Sequence, residues 1–241
     1  MNMKYVFIIL FIICTDTLFA QKYIMGEGKT LNYWSQDFFV CRLHIVDNQY
    51  CIVFSVLTGD IVRNMFVSYG DVRKKGNLYH LKDIPTSAEI VLEKNNQSNF
   101  NIKKGFSFMQ NESFIYDGKA NSSIISMIDI DSAVIKKKKD LLFIKSKQSS
   151  NYTTVQPGKY KNGNICLFIE QNCTYKILYI FEEYPCLVSK GKWSKDGNIM
   201  KLYDPFLDYS LTAMIGVDGE LTVIDFPNEL NEKLAFSLVR E

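Results

Sequence analysis

Apolar and polar residues alternate in short runs along most of the chain, with the two-residue period of half-buried β-strands. In the first half these runs are AEIVLEK, GFSFM, SFIYDG, SSIISMIDI and DLLFIKSK, and in the second half SLTAMIGVD, GELTVIDF and KLAFSLVR. After residue 20 no stretch combines helical periodicity with capping residues, so few helices are expected. The pattern predicts an all-β fold of antiparallel strands.

One string occurs twice, as VSYGDVRKKGNLYHLKD at 67–83 and as VSKGKWSKDGNIMKLYD at 188–204. Chance would match only about one or two positions in so short a window, so the chain contains an internal repeat. The identical pairs are Val67/Val188, Ser68/Ser189, Gly70/Gly191, Lys74/Lys195, Gly76/Gly197, Asn77/Asn198, Leu81/Leu202 and Asp83/Asp204.

Both copies of the string have the pattern of a β-hairpin with a charged turn. A two-residue turn with both central residues at positive φ suits Asp196-Gly197 but not Lys75-Gly76. We therefore predict a three-residue loop, a type I turn whose last residue, Gly76 or Gly197, is left-handed and forms a glycine bulge.

This turn would place Val72 opposite Leu78 and Trp193 opposite Ile199. A tryptophan at that position is predicted to fill the core rather than to present a ligand platform. The assigned residues are therefore structural ones, and no catalytic, cofactor-binding or metal-binding residue is assigned. They are Gly70, Gly76, Gly191, Gly197 and Trp193.

The strands before each string also match loosely, as LHIVDNQYCIVFSV and LFIEQNCTYKILYIF. Two consecutive β-units follow, at residues 21–145 and 158–241, joined by the polar linker 146–157 with its Pro-Gly break. The second unit has about eight predicted strands, a number that closes a small barrel or fills a two-sheet sandwich.

The second unit resembles a family of exported, mostly uncharacterised β-rich proteins of Gram-negative bacteria that are often described as lipocalin-like. The resemblance rests on GKYKNGNICLFIEQNCTYKI and CLVSKGKWSKDGNIMKL, which place Gly-x-Tyr, an aromatic strand and Gly-x-Trp before a glycine turn. It covers about 50 residues and implies a β-domain accessory protein of the cell envelope. It implies no particular activity.

The first 20 residues have the features of a secretory signal peptide. Lys4 precedes the apolar run YVFIILFII, which is too short to span a bilayer, and cleavage is predicted after Ala20. Lipidation of Cys14 is the alternative. The predicted location is the periplasm, the cell surface or the medium, where disulfides can form. The pairing of Cys41, Cys51, Cys166, Cys173 and Cys186 is left open, as is a role as buried apolar residues.

The charge balance argues against a nucleic-acid or membrane partner held by a strong overall field. The chain has 28 basic and 26 acidic residues, and the local KKKK run at 136–139 is interpreted as a solvated turn or strand end. DSA at 131–133 is similar to an acceptor for bacterial O-glycosylation, although a plain strand is the preferred interpretation.

Candidate chemistry is sparse. The histidines, His44 and His80, are interpreted as structural, and no zinc-binding or nucleophile motif is present. Paired carboxylates could act on a glycoside if two of them converged in a cleft. The candidates are Glu182-Glu183, Asp129/Asp131 and Asp204/Asp208.

These observations favour a non-enzymatic binding or interaction module of the cell envelope, without cofactor, that holds a protein, glycan or apolar ligand. The alternatives are a carboxylate-dependent hydrolase on a β-scaffold and an envelope inhibitor of the immunity type. An exposed apolar patch would favour an inhibitor, whereas two acidic residues facing each other in a cleft would favour a hydrolase.

Overall fold

The computed structural model describes ten segments of the chain. They are residues 23–27, 39–46, 48–58, 61–95, 99–116, 130–147, 154–181, 184–216, 218–226 and 234–239. The predicted signal peptide with Cys14 and Ala20, and the carboxylates Asp129, Glu182 and Glu183, lie outside these segments.

The first eight strands form an antiparallel meander that closes on itself. Each strand pairs with the next, and β1 pairs with β8 to complete the barrel. The strands are β1 (Tyr23–Glu27), β2 (Phe39–Val46), β3 (Gln49–Thr58), β4 (Ile61–Lys75), β5 (Leu78–Asp83), β6 (Glu89–Lys94), β7 (Asn99–Lys104) and β8 (Ser113–Tyr116).

The last eight strands repeat this arrangement as a second closed barrel, in which β16 pairs with β9. They are β9 (Gly158–Asn162), β10 (Ile165–Ile169), β11 (Thr174–Phe181), β12 (Tyr184–Asp196), β13 (Ile199–Asp204), β14 (Tyr209–Ile215), β15 (Leu221–Val223) and β16 (Leu234–Leu238). The all-β, two-unit fold is thus confirmed, and each unit is a barrel rather than a sandwich.

The two barrels correspond strand by strand. Tyr50 lies opposite Gly70 in the β3–β4 pair, and Tyr175 lies opposite Gly191 in the β11–β12 pair. A register shift interrupts each of these pairs, between Phe54 and Ser55 in β3 and between Ile177 and Leu178 in β11. An eight-stranded barrel is just wide enough for side chains to fill, and the interiors hold buried aliphatic and aromatic residues.

A helix, α1 (Ile130–Lys147), lies between the barrels in the chain. The predictions of a strand at DLLFIKSK, of a plain strand at DSA and of a solvated turn at KKKK were therefore wrong. Four consecutive lysines are good helix formers, and the segment lacks the strict alternation of a half-buried strand. The helix also includes the first two residues of the predicted linker.

The predicted strand GFSFM is also wrong, because Ser107–Met109 forms a short 3₁₀ helix. Phe106 and Phe108 are both buried, and their rings stack with centroids 6.5 Å apart. Burial of two aromatic rings on either side of a buried serine does not follow the alternation of a strand. The resulting loop, residues 105–109, lies in the connection between β7 and β8.

The hairpin turn of the repeat is shorter than predicted. Lys75 pairs with Leu78 and Asp196 pairs with Ile199, so each turn has two central residues, Gly-Asn. Gly76 has φ 63° and Gly197 has φ 56°, whereas neither following asparagine has a positive φ. This fits a type II′ turn, which needs a glycine only at its first central position.

The shorter turn also changes the strand register. Val72 lies opposite Leu81 and Trp193 opposite Leu202, not opposite Leu78 and Ile199 as predicted. The prediction had treated the lysine or aspartate before the glycine as part of the loop, and those residues instead belong to the strand.

Candidate functional site: the junction between the barrels

Each barrel contains a buried corner in which a tyrosine, a serine and an aspartate from three adjacent strands meet. In the first barrel, Ser68 Oγ donates to Asp83 Oδ1 at 2.6 Å, and the Tyr50 hydroxyl lies 2.9 Å from Ser68 Oγ. The Tyr69 backbone N–H also donates to Asp83 Oδ1, at 3.2 Å. The three side chains are all buried.

The other oxygen of Asp83 is held by the turn that follows it. Thr86 donates both its backbone N–H, at 2.8 Å, and its hydroxyl to Asp83 Oδ2. Burial raises the pKa of Asp83, while these hydroxyl and amide donors act in the opposite direction. Burial likewise raises the pKa of Tyr69 to about 12, with the Asp83 charge adding to the effect.

A glycine stands beside each corner because another backbone strand passes very close. A Cβ atom on Gly70 would lie 2.0 Å from the carbonyl oxygen of Lys82, and one on Gly191 would lie 1.9 Å from that of Tyr203. No side chain fits at such a distance. The predicted structural glycines of the strands are therefore close-approach positions.

The second barrel has the same corner. Ser189 Oγ donates to Asp204 Oδ2 at 2.8 Å, and the Tyr175 hydroxyl lies 2.8 Å from Ser189 Oγ. The backbone N–H groups of Phe206 and Leu207 donate to Asp204 Oδ1, at 3.0 and 3.1 Å. Leu207 occupies the place of Thr86, so its N–H is kept but the side-chain hydroxyl donor is missing.

Ser107 of the first barrel donates to the Asp204 oxygen that also accepts from Ser189. Its hydroxyl donates to Asp204 Oδ2 at 2.7 Å, and its backbone N–H donates to the same oxygen at 3.2 Å. The Ser107 oxygen in turn accepts the Lys190 N–H at 3.2 Å. Loop 105–109 of one barrel thus completes the buried corner of the other.

Neighbouring groups extend this contact. Gly105 N–H donates to the Phe206 carbonyl at 3.3 Å, and Lys104 Nζ lies 3.4 Å from Asp208 Oδ2. The ion pair is exposed on the aspartate side and adds little, whereas the buried bonds to Asp204 are shielded from water. We call this set of contacts around Ser107 and Asp204 the junction.

Helix α1 makes another buried polar contact, with the first barrel. Lys137 is buried, and its Nζ donates to the Pro85 carbonyl of the first barrel at 2.7 Å. Burial lowers the pKa of Lys137, while the charges of Asp225 and Asp83 act to raise it. A lysine of the helix is therefore within the electrostatic influence of buried carboxyl groups from both barrels.

Asp225 of the second barrel is another buried carboxyl group near Lys137. It accepts the Thr212 backbone N–H at Oδ1, and the Tyr209 hydroxyl lies 3.4 Å from its Oδ2. Burial raises its pKa, and the nearby Lys137 charge opposes that rise. Lys201 Nζ donates to the hydroxyl of Thr212 at 2.7 Å, so a second lysine lies beside the same group.

The predicted carboxylate pair Asp204/Asp208 does not form a facing acid–base pair. Asp204 is buried with both oxygens accepting hydrogen bonds, whereas Asp208 is exposed and accepts the Tyr203 hydroxyl at 3.1 Å. Of the remaining candidates, the structure describes the backbone of Asp131 in α1 but not its side chain. The arrangement at Asp204 holds structure together and leaves no oxygen directed at a substrate.

The other singled-out side chains have structural surroundings. Trp193 is partly buried against the core, and its indole N–H donates to the Glu170 carbonyl at 3.2 Å. His44 is buried, and His80 Nδ1 lies 3.4 Å from Glu89 Oε1.

Cysteines contribute no disulfide in the described part of the chain. Cys166 is buried, Cys173 is exposed, and neither forms a disulfide, while Cys51 is also buried. The side chains of Cys41 and Cys186 lie outside the described residues. Among the side chains that the structure describes, no group of three or more histidine, cysteine or acidic residues could hold a metal ion.

The repeat pairs Ser68 with Ser189 and Asp83 with Asp204, but only Asp204 was given a candidate role, as a hydrolytic carboxylate. Their signal was visible, because they are polar residues kept in both copies of an otherwise apolar strand pattern. The change from Thr86 to Leu207 also marks a lost donor. Nothing in the sequence pointed to Ser107 or Lys137, whose partners lie in distant segments.

Comparisons with protein-family models, with curated proteins and with solved structures found no match to this chain. Within the described residues, no helix has the length and apolar character needed to cross a membrane.

Proposed function

We propose that the chain is an exported, non-enzymatic binding module of the cell envelope. Its two barrels bind the same macromolecular partner jointly. The observation that carries this proposal is the junction, in which Ser107 of the first barrel completes the buried corner around Asp204 of the second. A joint of this kind keeps two surfaces in a fixed relative geometry, which reduces the entropy lost when both contact one partner.

The hydrogen bonding of the buried carboxyl groups supports binding over catalysis. Both oxygens of Asp83 and both of Asp204 accept hydrogen bonds from serine, threonine or backbone donors of the fold. A general acid or base must instead reach the proton that it transfers. These aspartates therefore stabilise the scaffold.

The test compares the native chain with a variant in which the junction is broken. Ser107→Asp places a second carboxylate against the buried Asp204, and like charges in a buried site repel strongly. Ser194→Asp, at an exposed position of β12, is the matched control. Each protein is immobilised, exposed to an envelope extract of a Gram-negative host, and the captured species is identified and titrated.

We expect one species that saturates the native chain and the control equally and binds Ser107→Asp at least about tenfold more weakly. Equal affinity for all three proteins would show that the barrels do not act together. Turnover of a glycoside, ester or peptide that is lost in Asp83→Asn would contradict the non-enzymatic role.

A further inference from the structure

Helix α1 buries charged side chains and exposes apolar ones, unlike an ordinary surface helix. Lys137 and Asp140 face the protein and are 8% and 3% exposed, whereas Ile135, Leu141 and Leu142 are 53%, 53% and 66% exposed. Large apolar side chains on an outward helix face mark a surface that another body covers.

Lysines share this outward side with the apolar residues. Ile135, Lys138, Lys139 and Leu142 follow the i, i+3, i+4, i+7 spacing of one helix face, and Lys145 comes three residues after Leu142. All five are exposed. The one acidic side chain of α1 that the structure describes, Asp140, is buried on the opposite side.

We propose that this outward face, defined as Ile135, Lys138, Lys139, Leu142 and Lys145, binds the surface of an anionic phospholipid bilayer. Helices that lie in the membrane interface combine apolar side chains, which enter the acyl boundary, with lysines that contact anionic headgroups. Lysine side chains are long enough to keep the charge at the headgroups while their stems lie along apolar surface.

The charge of the face selects this occupant over a second copy of the chain. Two such faces packed against each other would bring six lysines together without an acidic partner on the described face, and like charges oppose that contact. An anionic bilayer instead provides complementary charge over its whole surface, and each lysine near it strengthens binding roughly fivefold.

The face can bind without any rearrangement of the barrels. Lys137 points the other way and donates to the Pro85 carbonyl, so α1 stays attached to the first barrel while its outward side remains exposed. This attachment is separate from the junction and from any macromolecular partner of the barrels, and the inference goes beyond the proposed function.

Sedimentation with vesicles tests the proposal. The purified chain is mixed with vesicles of phosphatidylcholine alone, or of equal parts phosphatidylcholine and phosphatidylglycerol, at low and high salt. We expect binding to the mixed vesicles that weakens as salt screens the lysines. The triple substitution Lys138→Gln, Lys139→Gln and Lys145→Gln should lower the partition coefficient by roughly a hundredfold.

Two further variants make the result specific to α1. Ile135→Ser with Leu142→Ser keeps every charge and should weaken binding about tenfold or more, because the apolar contribution is lost. Lys75→Gln, Lys161→Gln and Lys192→Gln remove three exposed barrel lysines and should bind like the native chain. Circular dichroism confirms that each variant is folded.

Equal binding by the native chain and the α1 lysine variant would overturn the proposal, as would equal binding to both kinds of vesicle. Lipid-free self-association that the Ile135→Ser, Leu142→Ser variant abolishes would assign the face to a second copy instead. The vesicles contain no protein, so these failures would leave the proposed partner of the two barrels untouched.

Discussion

Glycines in the two copies are required for two different physical reasons. Gly70 and Gly191 stand where a passing carbonyl leaves no space for a Cβ atom, at 2.0 and 1.9 Å. A Cβ atom on Gly76 would meet no other part of the chain within 4 Å, and only the positive φ of this residue favours glycine. The same residue type is therefore under a steric demand in the strands and a conformational demand in the turns.

Alanine substitutions should separate these demands. Gly191→Ala is expected to lower the free energy of unfolding by at least about 3 kcal/mol, because the strands must move apart. Gly76→Ala should cost only about 1 kcal/mol, the usual penalty for a left-handed alanine. Urea unfolding of both variants measures this, and equal losses would mean that β12 and β13 separate easily.

A buried acid should give the first barrel a pH-dependent stability. The pKa of Asp83 is raised above its ordinary value of 3.8 by burial, so folding favours the protonated form. Its contribution to stability is complete below that value and decreases as pH rises towards the folded pKa. The difference in unfolding free energy between the native chain and Asp83→Asn should therefore shrink from pH 3 to neutral pH.

Urea unfolding at a series of pH values checks this difference. Ser194→Ala, at an exposed position of β12, removes no titratable group and is the control, so its difference should stay nearly constant. A difference for Asp83 that grows with pH would mean that the surrounding donors outweigh burial and lower its pKa.

At the scale of elements, loop 105–109 is the connection on which the arrangement of the two barrels depends. Its serine donates to the Asp204 oxygen that Ser189 also contacts, where the first barrel uses the Tyr69 backbone N–H on Asp83. The duplicated corner is thus satisfied locally in one copy and by a distant segment in the other.

Ser107→Ala should destabilise the barrel in which it does not lie. We expect a loss of about 2 kcal/mol, typical of a hydrogen bond to a charged group, and faster amide exchange in β12 and β13 than in β4 and β5. Thr86→Ala, which removes a hydroxyl donor from Asp83 in the first barrel, should show the reverse distribution. Hydrogen exchange measured by mass spectrometry distinguishes the two variants. An equal loss of amide protection in both barrels would contradict a local role for each hydroxyl.

Alternation predicted most strands because a barrel wall has one buried and one exposed face, and the copied string predicted the duplication. The pattern of apolar residues could not identify α1, because the buried side of this helix carries Lys137 and Asp140. It therefore lacks the apolar stripe by which helices are recognised. Contacts such as Ser107 with Asp204 join residues 97 positions apart, and no local pattern encodes them.

At the scale of the whole molecule, the stability of the second barrel should depend on the first barrel more than the reverse. The donors described for Asp83 all come from the first barrel, whereas Asp204 also accepts two hydrogen bonds from Ser107, outside its own barrel. Without that loop, an accepting oxygen of a buried carboxylate loses two donors.

Residues 154–241 produced alone should therefore be about 3 kcal/mol or more less stable than the same barrel in the full chain. Trp193 fluorescence during urea unfolding reports on this barrel, with Trp34→Phe removing the second tryptophan of the sequence. Equal stability of the isolated and linked barrel would contradict the dependence.

The direction of this dependence follows the direction of synthesis. Loop 105–109 precedes every strand of the second barrel, so it emerges first from the ribosome or from an export channel, and the donor can already be in place when Asp204 emerges. The second barrel uses a hydrogen-bond donor from the barrel that precedes it in the chain. It therefore does not have to wait for a later segment before it folds. In the opposite order, Asp204 would emerge before the loop that donates to it.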